Sequence, residues 1–300
     1  MARPDPGTAL FEAERPRLLR LAYRMLGSHA EAEDVVQTAW LRWREVDPAG
    51  VAAPASYLSR VVARLCLDGL KSARARRETY VGTWLPEPLV EEPDEGHDDL
   101  TLTLMLALER LSPLERAAFL LHDVFGVPLA EVAATLGREG AAVRQLAARA
   151  RRNVRAARLR YPVAPEEGRR LAQAFFAATT SGDLATLRTI LADTVVVRAD
   201  GGGKVQAFRN PIVGIERVLR LYAGLHRKLT RPGLMLRTVT IDGLPGYLSR
   251  ERDGVLQTTA FAIEAGRIAG VFITRNPDKL GRVAPLAAEP AAGISQSKNV

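Results

Sequence analysis

Residues 128–152 read PLAEVAATLGREGAAVRQLAARARR. Ala133 is followed four positions on by Gly137, and Val143 comes six positions after that. A helix-turn-helix needs a small residue where its helices cross, a glycine for the tight turn and an apolar anchor on the second helix. The outward positions of that second helix are then Arg144, Gln145, Ala148, Arg151 and Arg155, flanked by Arg149 and Arg152. Arginine and glutamine reach phosphates and base edges. Between residues 138 and 160, eight arginines stand against one acid, Glu139. The pattern points to DNA, with an ordinary helical hairpin bearing a solvated arginine face as the alternative.

Upstream, Ser112-Pro113-Leu114-Glu115 supplies an N-cap, a proline suited to the first turn and a capping-box acid. Gly126 stops that helix, Pro128 begins the next, and this helical block runs from about Leu100 to about Arg158. Before it, Glu87–Asp99 carries seven carboxylates and no base, with Pro86, Pro88 and Pro93, and reads as a linker. Its start, Trp84-Leu85-Pro86-Glu87-Pro88, is different in kind, because exposed Trp and Leu call for a cover.

Residues 8–80 also read as helices. Ser28-His29-Ala30-Glu31 has the capping-box pattern, and Val36, Ala39, Trp40 and Trp43 follow on one face, with core the expected place for both tryptophans. From Pro54 to about Ala73, Leu58, Val61, Val62 and Leu65 share one side of a helix. Arg60, Arg64, Lys71 and Arg74 share the other, continued by Arg76 and Arg77. Such a basic amphipathic helix suits nucleic acid, acidic protein or a membrane surface.

Beyond Pro162–Pro165 the pattern changes. Helices are expected at 166–180, 183–192 and 215–228, and strands at 194–199, 234–241, 246–250, 256–263 and 268–274. Helices with a mostly antiparallel sheet make an α+β domain. Asp200-Gly201-Gly202-Gly203-Lys204 lacks the spacing and the following Ser/Thr of a phosphate loop, and reads as a flexible connection. Asn276-Pro277-Asp278-Lys279-Leu280 reads as a chain-reversing turn. His226, near Tyr222, has no evident nucleophile or metal partner and is expected at the surface or lining a pocket.

The 300 residues suggest two domains or three small ones. No apolar run is long enough to cross a bilayer, and the first residues lack the apolar core of a secretory signal. One cysteine, Cys66, and four histidines leave neither a disulfide nor a clustered metal site to expect. The expectation is a cytoplasmic protein with no membrane, metal or cofactor. The net charge of +8 is segregated: residues 1–164 hold 23 basic and 22 acidic side chains, and 165–300 hold 19 and 12. Segregation of this kind favours nucleic acid as the partner of the two basic helices.

These residues resemble the extracytoplasmic-function (ECF) sigma factors of bacterial RNA polymerase. Ala32-Glu33-Asp34-Val35-Val36-Gln37, with Leu41 and Trp43, looks like the family's polymerase-binding and promoter-melting helices. Residues 56–77 look like its −10-reading helix and 112–155 like its −35-reading helix-turn-helix. WLPEP at 84–88, DGGGK at 200–204 and NPDKL at 276–280 resemble the subgroup with a SnoaL-like C-terminal extension, a cone-shaped α+β barrel related to nuclear transport factor 2. The resemblance implies region 2 at 1–80, an acidic linker at 81–100, region 4 at 101–162, a SnoaL-like regulatory domain at 163–282 and a disordered tail at 283–300.

It also implies roles. Glu33, Asp34, Gln37 and Leu41 would face core RNA polymerase. Arg64, Lys71, Arg74, Arg76 and Arg77 would sit near −10 DNA, and Arg138, Arg144, Gln145, Arg149 and Arg151 near −35 DNA. The expected function is promoter-specific initiation, with no catalytic residues of its own. The three motifs, Trp84–Pro88, Asp200–Lys204 and Asn276–Leu280, are expected close together, where the extension contacts the sigma domains. A small-molecule ligand is possible but unnamed. The competing reading is a SnoaL-like enzyme or ligand-sensing regulator with a DNA-binding N-terminus, although Asp200 and Glu264 at strand ends form no visible catalytic pair.

Overall fold

The structure, a computed structural model, describes residues 6–78, 80–91, 102–157, 163–228 and 232–287, and only the backbone at 71–78, 91 and 156–157. The chain divides into two compact units. One joins Met1–Thr79 to Leu104–Arg158, and the other joins Tyr80–Thr103 to Leu159–Val300.

The first unit is helical. Helix α1 (Pro6–Leu26), α2 (His29–Trp43) and α3 (Pro54–Glu78) pack on one another, and Ser28 caps α2 by accepting from the Glu31 amide at 3.4 Å. Leu18, Leu21, Met25, Val36, Leu58 and Val62 fill the space between them. Trp43 is core, as expected, and its Nε1 donates to the Gly7 carbonyl at 2.8 Å. Trp40 is half-buried against Phe11. Then come α4 (Leu102–Glu109), α5 (Pro113–Phe119), a π-helical turn at Leu120–Val124, α6 (Leu129–Leu136) and α7 (Gly140–Ala157). The Ser112–Glu115 capping box is complete.

The two helical blocks, read separately in the sequence, cluster as a single unit. Buried Arg116 is one reason: its guanidinium donates to the Leu108 and Met25 carbonyls at 2.9 and 2.6 Å and pairs with Glu109 at 2.8 Å. Arg17 likewise donates to the Phe125 carbonyl at 3.1 Å. Long-range polar ties leave no trace in periodicity.

In the second unit, the linker contributes a two-residue strand, β1 (Val90–Glu91). Helices α8 (Pro165–Ser181) and α9 (Leu184–Ile190) lead into β2 (Leu191–Asp200), and β3 (Ile212–Val213) precedes α10 (Ile215–Lys228). Four strands follow, β4 (Leu234–Ile241), β5 (Leu244–Arg250), β6 (Leu256–Glu264) and β7 (Arg267–Thr274). The sheet order is β1-β4-β5-β6-β7-β2-β3, antiparallel except for β2 against β7. Phe175, Val195, Val197, Val218, Tyr222, Phe261 and Val271 knit helices and sheet into one core. The expected succession of helical modules and an α+β domain is therefore present.

Three details differ from the sequence reading. Leu191 and Ala192, expected to close a helix, open β2, because Leu191 pairs with Ile268 and is buried. The short strands β1 and β3 were too brief to leave an alternating pattern. The expected tail at 283–300 is corrected at its start. Val283 is buried with Leu248 and Leu280, and Pro285–Ala287 forms a 3-10 turn, because apolar cover is available there. Residues 288–300 lie outside the described residues.

Candidate functional site

The helix-turn-helix forms as its spacing requires. Gly137 adopts φ +59° at the C-terminus of α6, and the Ala133 carbonyl accepts from the amides of Gly137 and Arg138. Glycine occupies this left-handed position without the steric cost of a Cβ. Val143, Ala147, Ala150 and Val154 form the buried stripe of α7. Arg138, Arg144, Gln145 and Arg149 are exposed beside it. Arg149 lies 3.4 Å from Glu115, while half-buried Arg151 is held at 2.6 Å by Asp123. Arg151 therefore departs from the free outward position expected of it.

On α2, Glu33, Asp34, Gln37 and Leu41 are all exposed, and Leu41 keeps 54% of its surface open. Their spacing puts them along one stripe, opposite buried Ala32, Val36, Ala39 and Trp43. On α3, Arg64 is turned onto α6: its Nε and Nη2 donate to the carbonyls of Thr135 and Ala134 at 3.3 and 3.2 Å. Arg60 lies 3.3 Å from Glu131, which also accepts from the Ser56 hydroxyl. Lys71, Arg74, Arg76 and Arg77 fall on the last turns of α3, but their side chains lie outside the described residues.

The linker motif and the two C-terminal motifs meet around Asp200, which is fully buried at the end of β2. Its Oδ1 accepts from the Tyr80 hydroxyl at 2.5 Å and the Gly202 amide at 3.0 Å. Its Oδ2 accepts from the Leu85 amide at 2.9 Å and from Lys279 Nζ at 2.7 Å. Its main-chain carbonyl accepts from the amides of Arg275 and Asn276. A buried carboxylate is costly unless so satisfied.

Lys279 also donates to the Leu85 carbonyl at 2.5 Å and sits over the Trp84 ring, 4.3 Å from its centroid. Asn276 caps the turn at Pro277–Lys279 and donates to Tyr80 Oη at 2.9 Å. Burial, joined by the adjoining Asp200 carboxylate, pushes the Tyr80 phenol well above its ordinary range and keeps it a donor.

The glycine run is a packing feature. Gly202 has φ +63°, and a Cβ there would collide with the Asn276 side chain. Gly203, also at positive φ, faces Val81. Lys204 pairs with Asp278 at 2.6 Å, and Leu280 is buried. Leu85, Pro86, Glu87 and Pro88 are buried and Trp84 is half-buried, so the cover that the linker's apolar start called for is present. Tyr80, which joins two of the motifs, was missed: a single tyrosine between helix and linker carries no pattern. The sequence reading likewise missed Tyr247, Glu251 and Arg275, which with Tyr222 and His226 line a cavity in this unit.

A helix-turn-helix with an arginine and glutamine face, in one unit with a second basic helix, defines a DNA-binding protein of two helical modules. The sigma-70 region 2 model matches residues 10–76 and the sigma-70 region 4 model residues 101–154. The chain is 38% identical to the ECF RNA polymerase sigma factor SigJ of Mycobacterium tuberculosis, over 90% of this chain and 91% of that protein. It is 33% identical to the probable ECF RNA polymerase sigma factor SigI of the same species, over 98% of this chain and the whole of that protein. The crystal structure of Mycobacterium tuberculosis SigJ superposes with a TM-score of 0.73 at 35% identity, covering 91% of this chain and 98% of that one. The chain belongs to the ECF RNA polymerase sigma factors.

Proposed function

We propose that the chain is a dissociable initiation subunit. It binds core RNA polymerase through the α2 stripe of Glu33, Asp34, Gln37 and Leu41, and places its helical modules on −10 and −35 promoter DNA. Arg138, Arg144, Gln145, Arg149 and Arg151 serve −35, while Arg64, Lys71, Arg74, Arg76 and Arg77 serve −10. Phosphoryl transfer belongs to the polymerase. The observation that carries the reading is the Gly137-turned helix-turn-helix, with Arg144 and Gln145 exposed beside its buried stripe.

In this conformation Arg64 donates to the carbonyls of Ala134 and Thr135, so contact with −10 DNA requires those bonds to be exchanged. Each module alone is a weak binder, and core polymerase supplies the spacing that lets both engage. The C-terminal unit acts as a built-in regulator by holding residues 80–91 through Asp200 and Lys279. Its effect reaches the sigma modules through the linker that joins them. The protein works in the cytoplasm; among the described residues no helix is long and apolar enough to cross a membrane.

In vitro transcription with core polymerase tests the reading. Promoter-dependent initiation by the full chain, lost in a Leu41→Asp variant that keeps its fold, is the expected result. Tight DNA binding without core and no initiation from any promoter would overturn it. A Lys279→Met variant that initiates as the wild type does would remove the linker clamp from regulation.

A further inference from the structure

Helix α10 (Ile215–Lys228) has two unlike faces. Ile215, Val218, Leu219 and Tyr222 are buried in the core of its unit. At about 100° per residue, Arg217, Arg220, Gly224, Arg227 and Lys228 fall within an arc of about 100° on the opposite side. The four cations are exposed, and among the described residues none of their side chains makes an ion pair or hydrogen bond. The helix has one acid, Glu216, and Arg188 engages it at 2.6 Å.

Two features of this stripe do nothing for the fold. The helix dipole favours cations at a C-terminus, which accounts for Arg227 and Lys228. Arg217 stands in the first turn, where the positive end opposes it, and Arg220 lies beyond the reach of either end. Gly224, in the middle of the stripe, weakens a helix relative to alanine. Neither conformation nor space calls for it, since its φ is not positive and a Cβ would meet nothing within 4 Å. Glycine does permit a ligand to approach the backbone closely.

The chemistry suits phosphates. Arg217 with Arg220, and Arg227 with Lys228, form two pairs about 13 Å apart along the axis, comparable to the roughly 12 Å width of the DNA major groove. The stripe holds no aromatic or acidic residue, and the apolar face of α10 is buried in the core, so a protein hot spot or a membrane surface fits it less well. The chain's own acidic linker is held elsewhere. Glu91 pairs with Thr240, and the Leu102 amide donates to the Asp242 carbonyl at 2.8 Å, both at the β1–β4 edge of the sheet. Helix α10 packs on β2 and β3, at the other edge. Helix α7 ends at Ala157 and α8 begins at Pro165, a step of eight residues that spans at most about 28 Å. The chain therefore tethers this unit close to any DNA that α7 reads.

We propose that the basic stripe of α10 is a further DNA-binding surface. It holds the phosphate backbone of duplex beside the −35 element, whatever the sequence, with Gly224 the point of closest approach. Its placement beside −35 rests on the reading of α7 above; its hold on duplex DNA does not.

Fluorescence anisotropy of the full chain without polymerase, on a mixed-sequence duplex lacking promoter elements, tests the stripe. Replacing Arg217, Arg220, Arg227 and Lys228 by Gln should make the salt slope of binding shallower by about 3 to 4 and weaken binding about tenfold or more. Arg217→Lys with Arg220→Lys should keep the slope, because the charge is kept. Gly224→Gln should raise the melting temperature yet weaken duplex binding about threefold, opposite signs that a merely solvated face does not give. In the holoenzyme on a promoter, the four Gln replacements should remove hydroxyl-radical protection from duplex flanking −35 and leave the −35 element itself protected.

An unchanged salt slope in the folded Gln variant overturns the stripe. So does an equal loss when exposed Arg169, Arg170, Arg250 and Arg267, elsewhere on the unit, are replaced by Gln instead. A Gln variant that binds duplex as the wild type does but loses affinity for core polymerase overturns the proposal in favour of an acidic protein surface. Duplex binding without flanking protection in the holoenzyme overturns the placement. Failure of the full chain to initiate bears on the sigma reading alone, because the duplex assay contains no polymerase.

Discussion

Lys279 Nζ lies 2.7 Å from Asp200 Oδ2, closing an ion pair in which the carboxylate is fully buried and the lysine side chain is 13% exposed. Asp200 gathers donors from the linker, the glycine turn and the C-terminal turn, so one carboxylate holds three distant segments together.

Removing one partner of a buried pair leaves the other uncompensated and costs about 3–5 kcal/mol. Three further donors still serve Asp200, so Lys279→Met should cost about 3 kcal/mol, at the low end of that scale. Asp200→Ala strands Lys279 and the Leu85 amide and should cost more. Denaturant melts of both variants and the double variant check this, with a coupling energy of about 1–3 kcal/mol expected for groups in direct contact.

Tyr80→Phe should cost about 1 kcal/mol, the usual net worth of one hydrogen bond. The phenol's pKa is raised in the fold, so its stabilisation is fully present below the unfolded value of about 10. It is lost as pH rises from there through the folded value. The difference in melting between wild type and Tyr80→Phe should hold steady from pH 7 to 9.5 and shrink above pH 10.

Gly202→Ala and Gly254→Ala separate two kinds of cost. Both positions have positive φ, but a Cβ at Gly254 meets nothing within 4 Å, whereas at Gly202 it meets Asn276. Gly254→Ala should carry only the left-handed penalty of about 1–2 kcal/mol, and Gly202→Ala should exceed it and expose Trp84. Melting temperatures and tryptophan fluorescence of the two variants make the comparison.

Glu131→Ala removes the acceptor of Ser56 and the partner of Arg60. The pair is one-third exposed and contributes about 0.5–1 kcal/mol, so the fold should survive. With α3 less tightly tied to α6, binding of single-stranded −10 DNA should strengthen about two- to fivefold, the factor that such an energy represents. Fluorescence anisotropy at two salt concentrations reads both the gain and its electrostatic origin.

Arg144→Ala and Gln145→Ala should each weaken −35 recognition by about 1–3 kcal/mol if they read base edges. Arg151→Ala should change it less, since Asp123 already engages that guanidinium. Footprinting of the holoenzyme on matched and mutated −35 elements discriminates the three.

The legible parts of this chain were those with local causes. Gly137 set the turn, Ser112 and Glu115 set a helix start, and period-2 runs marked β4 and β6 within a residue of their ends. The stripe of Glu33, Asp34, Gln37 and Leu41 came from the family resemblance, and in the structure helical spacing opposes it to Val36 and Trp43. Arg64 and Arg151 were legible as basic residues but not in their present engagements, because Thr135 and Asp123 are distant in sequence.

By itself the amino-acid order determined two helical modules with basic helices, an acidic linker between them and an α+β domain after them, and the family resemblance added three motifs to be brought together. Capping, left-handed glycine and apolar periodicity act over a few residues, and a sequence displays them directly. Only the tertiary structure decided that Asp200 is where those motifs meet and that Tyr80 completes the cluster. It also decided that residues 80–91 belong with the C-terminal fold and that Arg64 is turned onto α6. Those outcomes depend on satisfying charges and donors across seventy residues or more, a constraint that exists only once the chain has closed on itself.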